Sequence, residues 1–256
     1  MKELIWITGG SQGIGEALAL AYARKGATVI ISARHLDKLQ QVVQKARTLK
    51  GRVVALPCDM TQPQQVQHTI QQMLEQEGLP NRVILNAGTH QAMAAREFKA
   101  ETVQQLLQIN VMGVAYALEH LLPLYSQSTV VHATSPQIAI VASVAGYRGL
   151  PTASAYGASK AALINLAESL RVELYGQGVD IRLINPGFVK TPLTDKNRFA
   201  MPFLISAETA AQQIIKGLNS SRFEIVFPWQ MSLLMKVLKW LPDRFFFPWV
   251  HQRTKV

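Results

Sequence analysis

The sequence is poor in cysteine, in charged residues and in long apolar runs, and each shortage excludes a class of protein. Its 256 residues include one cysteine, Cys58, so a disulfide framework is excluded and a reducing compartment fits. The 6 histidines are scattered, so no metal site is predicted. The apolar run after Lys2 breaks at Thr8, unlike a signal peptide. No run of about 20 apolar residues exists, so we expect a cytoplasmic protein without a spanning helix.

Charge is unbalanced even though charged residues are few. The chain has 26 Lys and Arg against 16 Asp and Glu, a net charge of +10. Such a balance is common in nucleic-acid-binding proteins. The basic residues are not interleaved with aromatic residues in one block, however, and no helix-turn-helix or finger motif is found. Nucleic acid is therefore not an expected partner. Hydrophobic residues make up 48% of the chain, enough for a sizeable core.

Strand-like and helix-like stretches alternate along most of the chain. Strands are predicted at 4–8, 28–33, 53–57, 82–88, 138–143, 179–187 and 223–227, and helices at 13–25, 36–49, 63–77, 102–122, 155–175 and 207–218. This alternation indicates βαβ units and a parallel sheet, and near-continuous Val/Ile/Leu strands indicate burial on both faces. The predicted fold is α/β, a doubly wound parallel sheet in three αβα layers. It forms one domain over 1–228, with a polar surface loop at 125–137.

A glycine-rich turn joins the first strand to the first helix. The sequence TGGSQGIG at 8–15 places glycines at positions 9, 13 and 15. Glycines permit a tight turn, and the N-terminus of the following helix offers backbone N–H groups to a pyrophosphate. An ordinary strand-to-helix turn is the alternative. The position after the first strand favours dinucleotide binding by Gly9, Ser11, Gln12, Gly13, Ile14 and Gly15.

The end of the second strand bears on the choice of dinucleotide. An acidic residue there would hold the ribose 2′-hydroxyl of NAD. This chain has Ala33 and Arg34 instead, and no carboxylate before Asp37. Because a guanidinium pairs with a 2′-phosphate, NADP(H) is favoured over NAD(H). Arg34 as a solvated loop residue is the alternative, and Lys38 is a weaker second candidate.

Further motifs follow in order at the ends of predicted elements. They are NAG at 86–88, Ser143 at the end of the fifth strand, Tyr156 thirteen residues later, and Lys160 four beyond. Together with the glycine turn they resemble the short-chain dehydrogenase/reductase family over roughly residues 4–227. The resemblance implies a Rossmann-type fold. It also implies an oxidoreductase that transfers hydride between a nicotinamide and a carbonyl or alcohol.

The resemblance implies a role for each matching residue. Tyr156 would be the general acid in carbonyl reduction and the base in alcohol oxidation, and Ser143 would hydrogen-bond the substrate oxygen. Lys160 would lower the tyrosine pKa and bind the nicotinamide ribose, while Asn110 would position a water. Residues at i and i+4 share a helix face, so phenol and ammonium can point to one side. Asn110 as a surface residue remains an alternative, and His90 is interpreted as surface or structural.

The resemblance also implies the cofactor contacts. Asp59 would contact the adenine ring, although a turn role at the strand end is the alternative. The remaining predicted contacts are Met60, Asn86, Ala87, Gly88, Pro186, Gly187, Val189 and Thr191. The family usually pairs its long helices, so a homodimer or homotetramer through 102–122 and 155–175 is expected.

The segment 192–206 corresponds to a mobile substrate lid in the family. Its apolar members indicate a hydrophobic carbonyl or alcohol substrate: Leu193, Phe199, Met201, Phe203 and Leu204. The alternative is that these side chains pack against the body. The first functional hypothesis is an NADPH-dependent carbonyl reductase; an alcohol or hydroxysteroid dehydrogenase uses the same residues in reverse. A third is a non-catalytic NADP-binding sensor or scaffold.

The extension 229–256 differs in character from the rest of the chain. A narrow polar stripe of Ser232, Lys236 and Lys239 crosses a largely apolar helix that ends at Pro242. Aromatic and basic residues follow it. Such a segment suits a peripheral membrane anchor, placing the protein at the inner face of a membrane. Packing over the substrate cleft or in a subunit interface is the alternative.

Overall fold

In the computed structural model, residues 3–127, 135–196 and 200–254 are described. These ranges contain the strands β1 (Leu4–Thr8), β2 (Thr28–Ser32), β3 (Arg52–Ala55), β4 (Arg82–Leu85), β5 (Gln137–Val141), β6 (Asp180–Pro186), β7 (Val189–Lys190), β8 (Ile205–Ser206) and β9 (Glu224–Phe227). They also contain the helices α1 (Gly13–Arg24), α2 (Leu36–Ala46), α3 (Pro63–Gln76), α4 (Ala100–Leu107), α5 (Gly113–Gln127), α6 (Ser154–Glu173), α7 (Ala207–Leu218), α8 (Trp229–Trp240) and α9 (Asp243–Thr254).

Seven of the described strands form one parallel sheet in the order β3-β2-β1-β4-β5-β6-β9. The order reverses beside β1, which is where a doubly wound sheet opens a crevice at the carboxyl ends of its strands. The central strands are apolar and buried on both faces, because helices cover the two sides. The predicted single α/β domain with a Rossmann-type sheet is therefore confirmed.

Two hydrophobic cores lie on the two faces of the sheet. One is built from α1, α2 and α7 against alternate residues of the strands, with Tyr22 and Leu18 among its buried members. The other joins α3, α5 and α6 to the opposite face and includes Trp6. The Trp6 indole donates to the Ser32 hydroxyl at 2.9 Å, which satisfies its buried N–H group. The two cores fix the strand ends from which the candidate site is built.

The predicted helix at 102–122 differs from the structure. Helices α4 and α5 are separated by a π-helical turn at 108–112. The apolar periodicity predicts that this stretch is helical, but it does not show that one turn inside it is π-helical, since such turns are rare single-turn features within α-helices. The pair β7–β8 was not predicted either. Of the predicted loop at 125–137, residues 128–134 lie outside the described residues.

The C-terminal helices α8 and α9 pack against the body. They bury an apolar cluster over the loop that follows β5: Val144, Met231, Met235, Leu238, Phe246 and Val250. Ser232 is buried with them whereas Lys236 and Lys239 are exposed, so the predicted polar stripe is divided between the buried and the exposed sides of α8. The sequence also gave no indication of α9, which contains Pro248.

Candidate active site

The glycine turn between β1 and α1 needs its glycines for two different reasons. Gly9 and Gly13 have φ values of +66° and +59°, the left-handed region that favours glycine. A Cβ on Gly15 would lie 2.2 Å from the Gly9 carbonyl oxygen, so any side chain there would collide with the turn. The turn thus holds α1 close to the end of β1, where a ligand can approach its N-terminus.

The N-terminus of α1 is suited to an anion. Gln12 is the N-cap and its side chain makes no capping hydrogen bond. Because the first N–H groups of a helix have no intrahelical acceptors, those of Gly13, Ile14 and Gly15 can bind a pyrophosphate. The Ser11 side chain is half-buried beside them, and Gln12 is exposed. The residues present therefore fit the dinucleotide that the glycine turn predicted.

The segment after β4 is tied to the glycine turn. The Thr8 hydroxyl accepts hydrogen bonds from the backbone N–H groups of Asn86 and Ala87, each at 3.0 Å. In return the Asn86 side chain donates to the carbonyl oxygens of Thr8 and Gly9 at 3.0 and 3.3 Å. These bonds hold the segment that includes Gly88 at the carboxyl end of β4, where the crevice opens.

Ser143 and Tyr156 meet at the end of β5. Ser143 is buried, and its hydroxyl accepts from the Ala145 backbone N–H at 3.1 Å and donates to the Pro186 carbonyl oxygen at 3.4 Å. Burial raises the pKa of Tyr156 above its ordinary value, and a hydrogen bond with Ser143 partly opposes that rise. The phenol is therefore protonated at neutral pH and lies beside a second hydroxyl.

Lys160 lies one helical turn beyond Tyr156 on α6. Its Nζ is 5.8 Å from the centroid of the Tyr156 ring and donates to the Val141 carbonyl oxygen at 2.9 Å. Burial lowers the pKa of Lys160 to about 8. A Cβ on Gly88 would lie 3.5 Å from this Nζ. The expected convergence of phenol and ammonium on one helix face is present in the structure. The expected lowering of the Tyr156 pKa by Lys160 is not, because burial and the Ser143 hydrogen bond are what set that pKa.

Asn110 occupies the π-helical turn and is fully buried. Its Nδ2 donates to the Thr89 carbonyl oxygen at 3.0 Å and to the Ser159 hydroxyl at 2.9 Å, and its Oδ1 accepts from the Thr89 N–H at 2.7 Å. The Ser159 hydroxyl donates in turn to the Tyr156 carbonyl oxygen at 2.7 Å. Asn110 thus links the segment after β4 to α6, and the surface alternative is wrong.

The residues predicted to contact the adenosine half lie at the ends of β2 and β3. Arg34 is exposed and makes no ion pair within the ranges that the structure describes. The Asp59 carboxylate accepts from the N–H and hydroxyl groups of Thr61 at 2.9 and 2.8 Å, which is the turn role kept as its alternative. Met60 is buried against Gly113. Their roles toward a cofactor stay predictions.

One pocket collects most of the remaining predicted residues. Ile14, Asn86, Gly88, Tyr156, Lys160, Pro186, Gly187, Val189 and Thr191 line it. Of the predicted lid residues, Leu193 lines the pocket, Phe203 and Leu204 are exposed, and Phe199 lies outside the described residues. Leu193 is therefore the one predicted lid residue whose side chain contacts this pocket in the described part of the chain.

Several residues of the site were missed in the sequence. Val141 and Thr89 line the pocket, and the His90 ring contacts Tyr156 edge-on with ring centroids 4.7 Å apart. His90 is half-buried in this contact, so the interpretation of His90 as a surface residue is wrong and the structural one fits. Its place two residues after Gly88 could have signalled proximity, because that segment ends beside α6. No group of three metal-ligating side chains was found among the described residues.

Comparisons with known proteins by sequence and by structure all point to the same family. A family model described as short chain dehydrogenase matches residues 3–201. An uncharacterized oxidoreductase of Myxococcus xanthus is 36% identical over 240 residues, which cover 94% of this chain and 93% of that protein.

Two solved structures share the fold. A short chain dehydrogenase/reductase from Burkholderia phymatum in complex with NAD has a TM-score of 0.81 at 23% identity, covering 92% of each chain. A short-chain dehydrogenase from Sphingobium yanoikuyae in complex with NADPH has a TM-score of 0.78 at 22% identity, covering 94% of this chain and 97% of that chain.

Proposed function

Because the chain belongs to the short-chain dehydrogenase family and is an oxidoreductase, we propose that it transfers hydride between NADP(H) and the carbonyl or secondary alcohol of a hydrophobic substrate. The observation that carries the proposal is the meeting of Tyr156, Ser143 and Lys160 beside the pocket that Ile14 lines at the start of α1. A proton donor and a dinucleotide-binding turn thereby share one crevice.

The protein has to manage one proton while negative charge develops on the substrate oxygen. The bound nicotinamide supplies the hydride. Tyr156 donates its proton to the oxygen in reduction and accepts it in oxidation, and Ser143 donates a hydrogen bond to the same oxygen. Burial keeps the phenol protonated at neutral pH. That protonation state is the one that the acid of carbonyl reduction requires.

Lys160 and Asn110 lie near Tyr156 on the protein side of the pocket. The Lys160 ammonium, held on the Val141 carbonyl oxygen, favours the phenolate that forms when Tyr156 gives up its proton. The absent side chain of Gly88 lets both Lys160 and Asn110 approach: a Cβ there would lie 3.1 Å from the Asn110 Oδ1. These contacts support the predicted roles of Lys160 and Asn110 in the proton transfer of Tyr156.

NADP(H) is proposed over NAD(H) on the charge at the end of β2. Arg34 is exposed with no carboxylate partner in the described ranges, so its guanidinium can bind a 2′-phosphate. The related structures bound to NAD and to NADPH have the same fold, which makes the local charge the deciding feature. The segment after β4, with Asn86, Ala87 and Gly88, would hold the nicotinamide half together with Thr191.

We propose a hydrophobic substrate because apolar side chains lie in the region near Ser143. The pocket combines polar side chains, among them Tyr156 and Lys160, with an apolar part formed by Val141, Ala142, Val189 and Leu193. Beyond Ser143 the apolar cluster continues through Val144 into α8 and α9. Apolar side chains beside the reactive hydroxyls support a lipid-like, acyl or steroid-like carbonyl over a small acid.

A panel of carbonyl compounds tests the proposed reaction. Purified full-length protein is mixed with NADPH and each compound, and loss of the nicotinamide absorbance is followed. We expect turnover with apolar ketones or aldehydes and little with short keto acids. Absence of turnover across apolar carbonyls and the matching alcohols with NADP would contradict the proposal.

Replacing Arg34 by alanine tests the cofactor preference. We expect the Kd for NADPH to rise about tenfold or more while that for NADH stays unchanged, because only NADPH has the 2′-phosphate. Arg47→Ala removes the same charge from an exposed site at the far end of α2 and is the matched control. Tighter binding of NADH than NADPH by the wild type, or equal effects of the two substitutions, would overturn the preference.

A further inference from the structure

An apolar stripe runs along the solvent side of α8. Trp229, Leu233, Val237 and Trp240 are spaced at i, i+4, i+8 and i+11, so they share one helix face. Their exposed fractions are 69%, 58%, 56% and 82%. On α9, Phe245, Phe247 and Trp249 are exposed as well. Monomeric proteins expose large apolar side chains singly, so a contiguous stripe marks an interaction surface.

The stripe is not the result of a loose tail. The opposite face of α8 is buried through Met231, Met235 and Leu238. Arg148, in the loop after β5, donates to the carbonyl oxygens of Leu238 and Lys239 at 2.7 and 3.2 Å and also to that of Leu241. The body therefore holds α8 with its stripe outward.

Arg148 fixes α9 in the same way. Its guanidinium lies 3.7 Å from the Phe246 ring centroid and pairs with Asp243. Asp243 is the one acidic residue between positions 229 and 254. The pairing leaves the surface of this segment with uncompensated cationic groups.

Basic residues border the apolar side chains. Lys236 and Lys239 lie on α8 beside the stripe, and Lys236 is 50% exposed although it pairs with Glu224 at 3.0 Å. On α9 the Arg244 guanidinium lies 4.8 Å from the Phe245 ring centroid, and Arg253 lies 5.2 Å from that of Trp249. Aromatic and basic side chains side by side are typical of segments at the interface between lipid and water.

We propose that the stripe of α8, with the exposed aromatic residues of α9, docks the protein on an anionic lipid surface. The stripe is about 16 Å long, shorter than the roughly 30 Å hydrocarbon core, so α8 would lie in the plane of the interface. No described helix is long and apolar enough to cross a membrane. A second copy is a poorer partner, because a two-fold interface would bring Lys236, Lys239 and Arg244 of both chains together.

Surface substitutions test the docking. Removing the tail would uncover the buried cluster beneath it, so the test uses full-length Leu233→Gln/Val237→Gln/Trp240→Gln. Binding to vesicles of equal parts phosphatidylcholine and phosphatidylglycerol is measured by co-sedimentation. We expect the partition coefficient to fall about tenfold or more, because apolar area is lost. Leu36→Gln/Phe98→Gln, at sites 45% and 59% exposed outside α8, α9 and the helices expected to pair, should bind like the wild type.

Two further measurements exclude other partners. Lys239→Gln/Arg244→Gln should weaken binding to the anionic vesicles, and wild-type binding to phosphatidylcholine alone should be weaker than to the mixture. Equal sedimentation of the wild type and the α8 variant would overturn the proposal. So would a change in molar mass of the α8 variant by light scattering without vesicles, because that result would assign the stripe to a second copy.

Discussion

At the scale of single residues, Lys160 has an unusual electrostatic position. Arg182, another buried cation, pairs with Asp180 at 2.6 Å. Lys160 forms no ion pair with the described part of the chain, and its Nζ donates to the Val141 carbonyl oxygen. Burial without a carboxylate lowers its pKa from an ordinary 10.5 to about 8. The fold therefore tolerates an electrostatic cost at the place where the proposed function needs an ammonium beside Tyr156.

Lys160→Met should make the protein more stable and less active. The lowered pKa of Lys160 means that its buried charge destabilises the folded protein by about 3 kcal/mol at neutral pH. Removing the lysine relieves that cost but also removes the hydrogen bond to Val141, which takes back about 1 kcal/mol. We expect the free energy of unfolding at pH 7 to rise by about 2 kcal/mol by urea denaturation.

The pH dependence of this gain checks its cause. Between about pH 8 and pH 10.5 the unfolded wild type binds more protons than the folded one, so wild-type stability rises with pH there. The advantage of Lys160→Met should therefore shrink as the pH approaches 10. A gain independent of pH, or a loss at pH 7, would show that buried charge is not the cause.

At the scale of elements, the glycine turn packs closely against the segment after β4, while the N-terminus of α1 stays open to a ligand. A Cβ on Gly9 would lie 2.9 Å from the Ala87 Cα, in a backbone conformation with φ +66°. The turn therefore depends on the segment after β4, which the Thr8 hydroxyl also holds. Two chain segments that the sequence separates act as one support for α1.

Gly9→Ala should damage this support. We expect a loss of about 2 to 3 kcal/mol of unfolding free energy, from backbone strain and from displacement of Ala87. The Kd for NADPH should rise as well, because the displaced segment borders the pocket. Gly176→Ala is the control: its φ is +77° but a Cβ there meets nothing within 4 Å. Similar losses for the two variants would show that strain alone, without the contact to Ala87, sets the effect.

At the scale of the whole molecule, the order of elements and the positions of the motifs could be predicted. Strands buried on both faces have a simple apolar pattern, and the motifs lie where strands end. The π-helical turn around Asn110, the edge-on contact of His90 and the burial of Ser232 could not, because tertiary contacts determine them. The expected homodimer or homotetramer through the helices α4 to α6 stays a prediction.

The central claim is that Tyr156 is the proton donor of an NADPH-dependent reductase. The most direct test compares Tyr156→Phe with the wild type in two measurements, turnover of the best carbonyl substrate and the Kd for NADPH. We expect kcat to fall by about 10²-fold to 10⁴-fold with the Kd nearly unchanged, since the phenyl ring keeps the packing against His90. The exposed Tyr175→Phe is the control and should behave as the wild type. Turnover of Tyr156→Phe within a few-fold of the wild type would contradict the account.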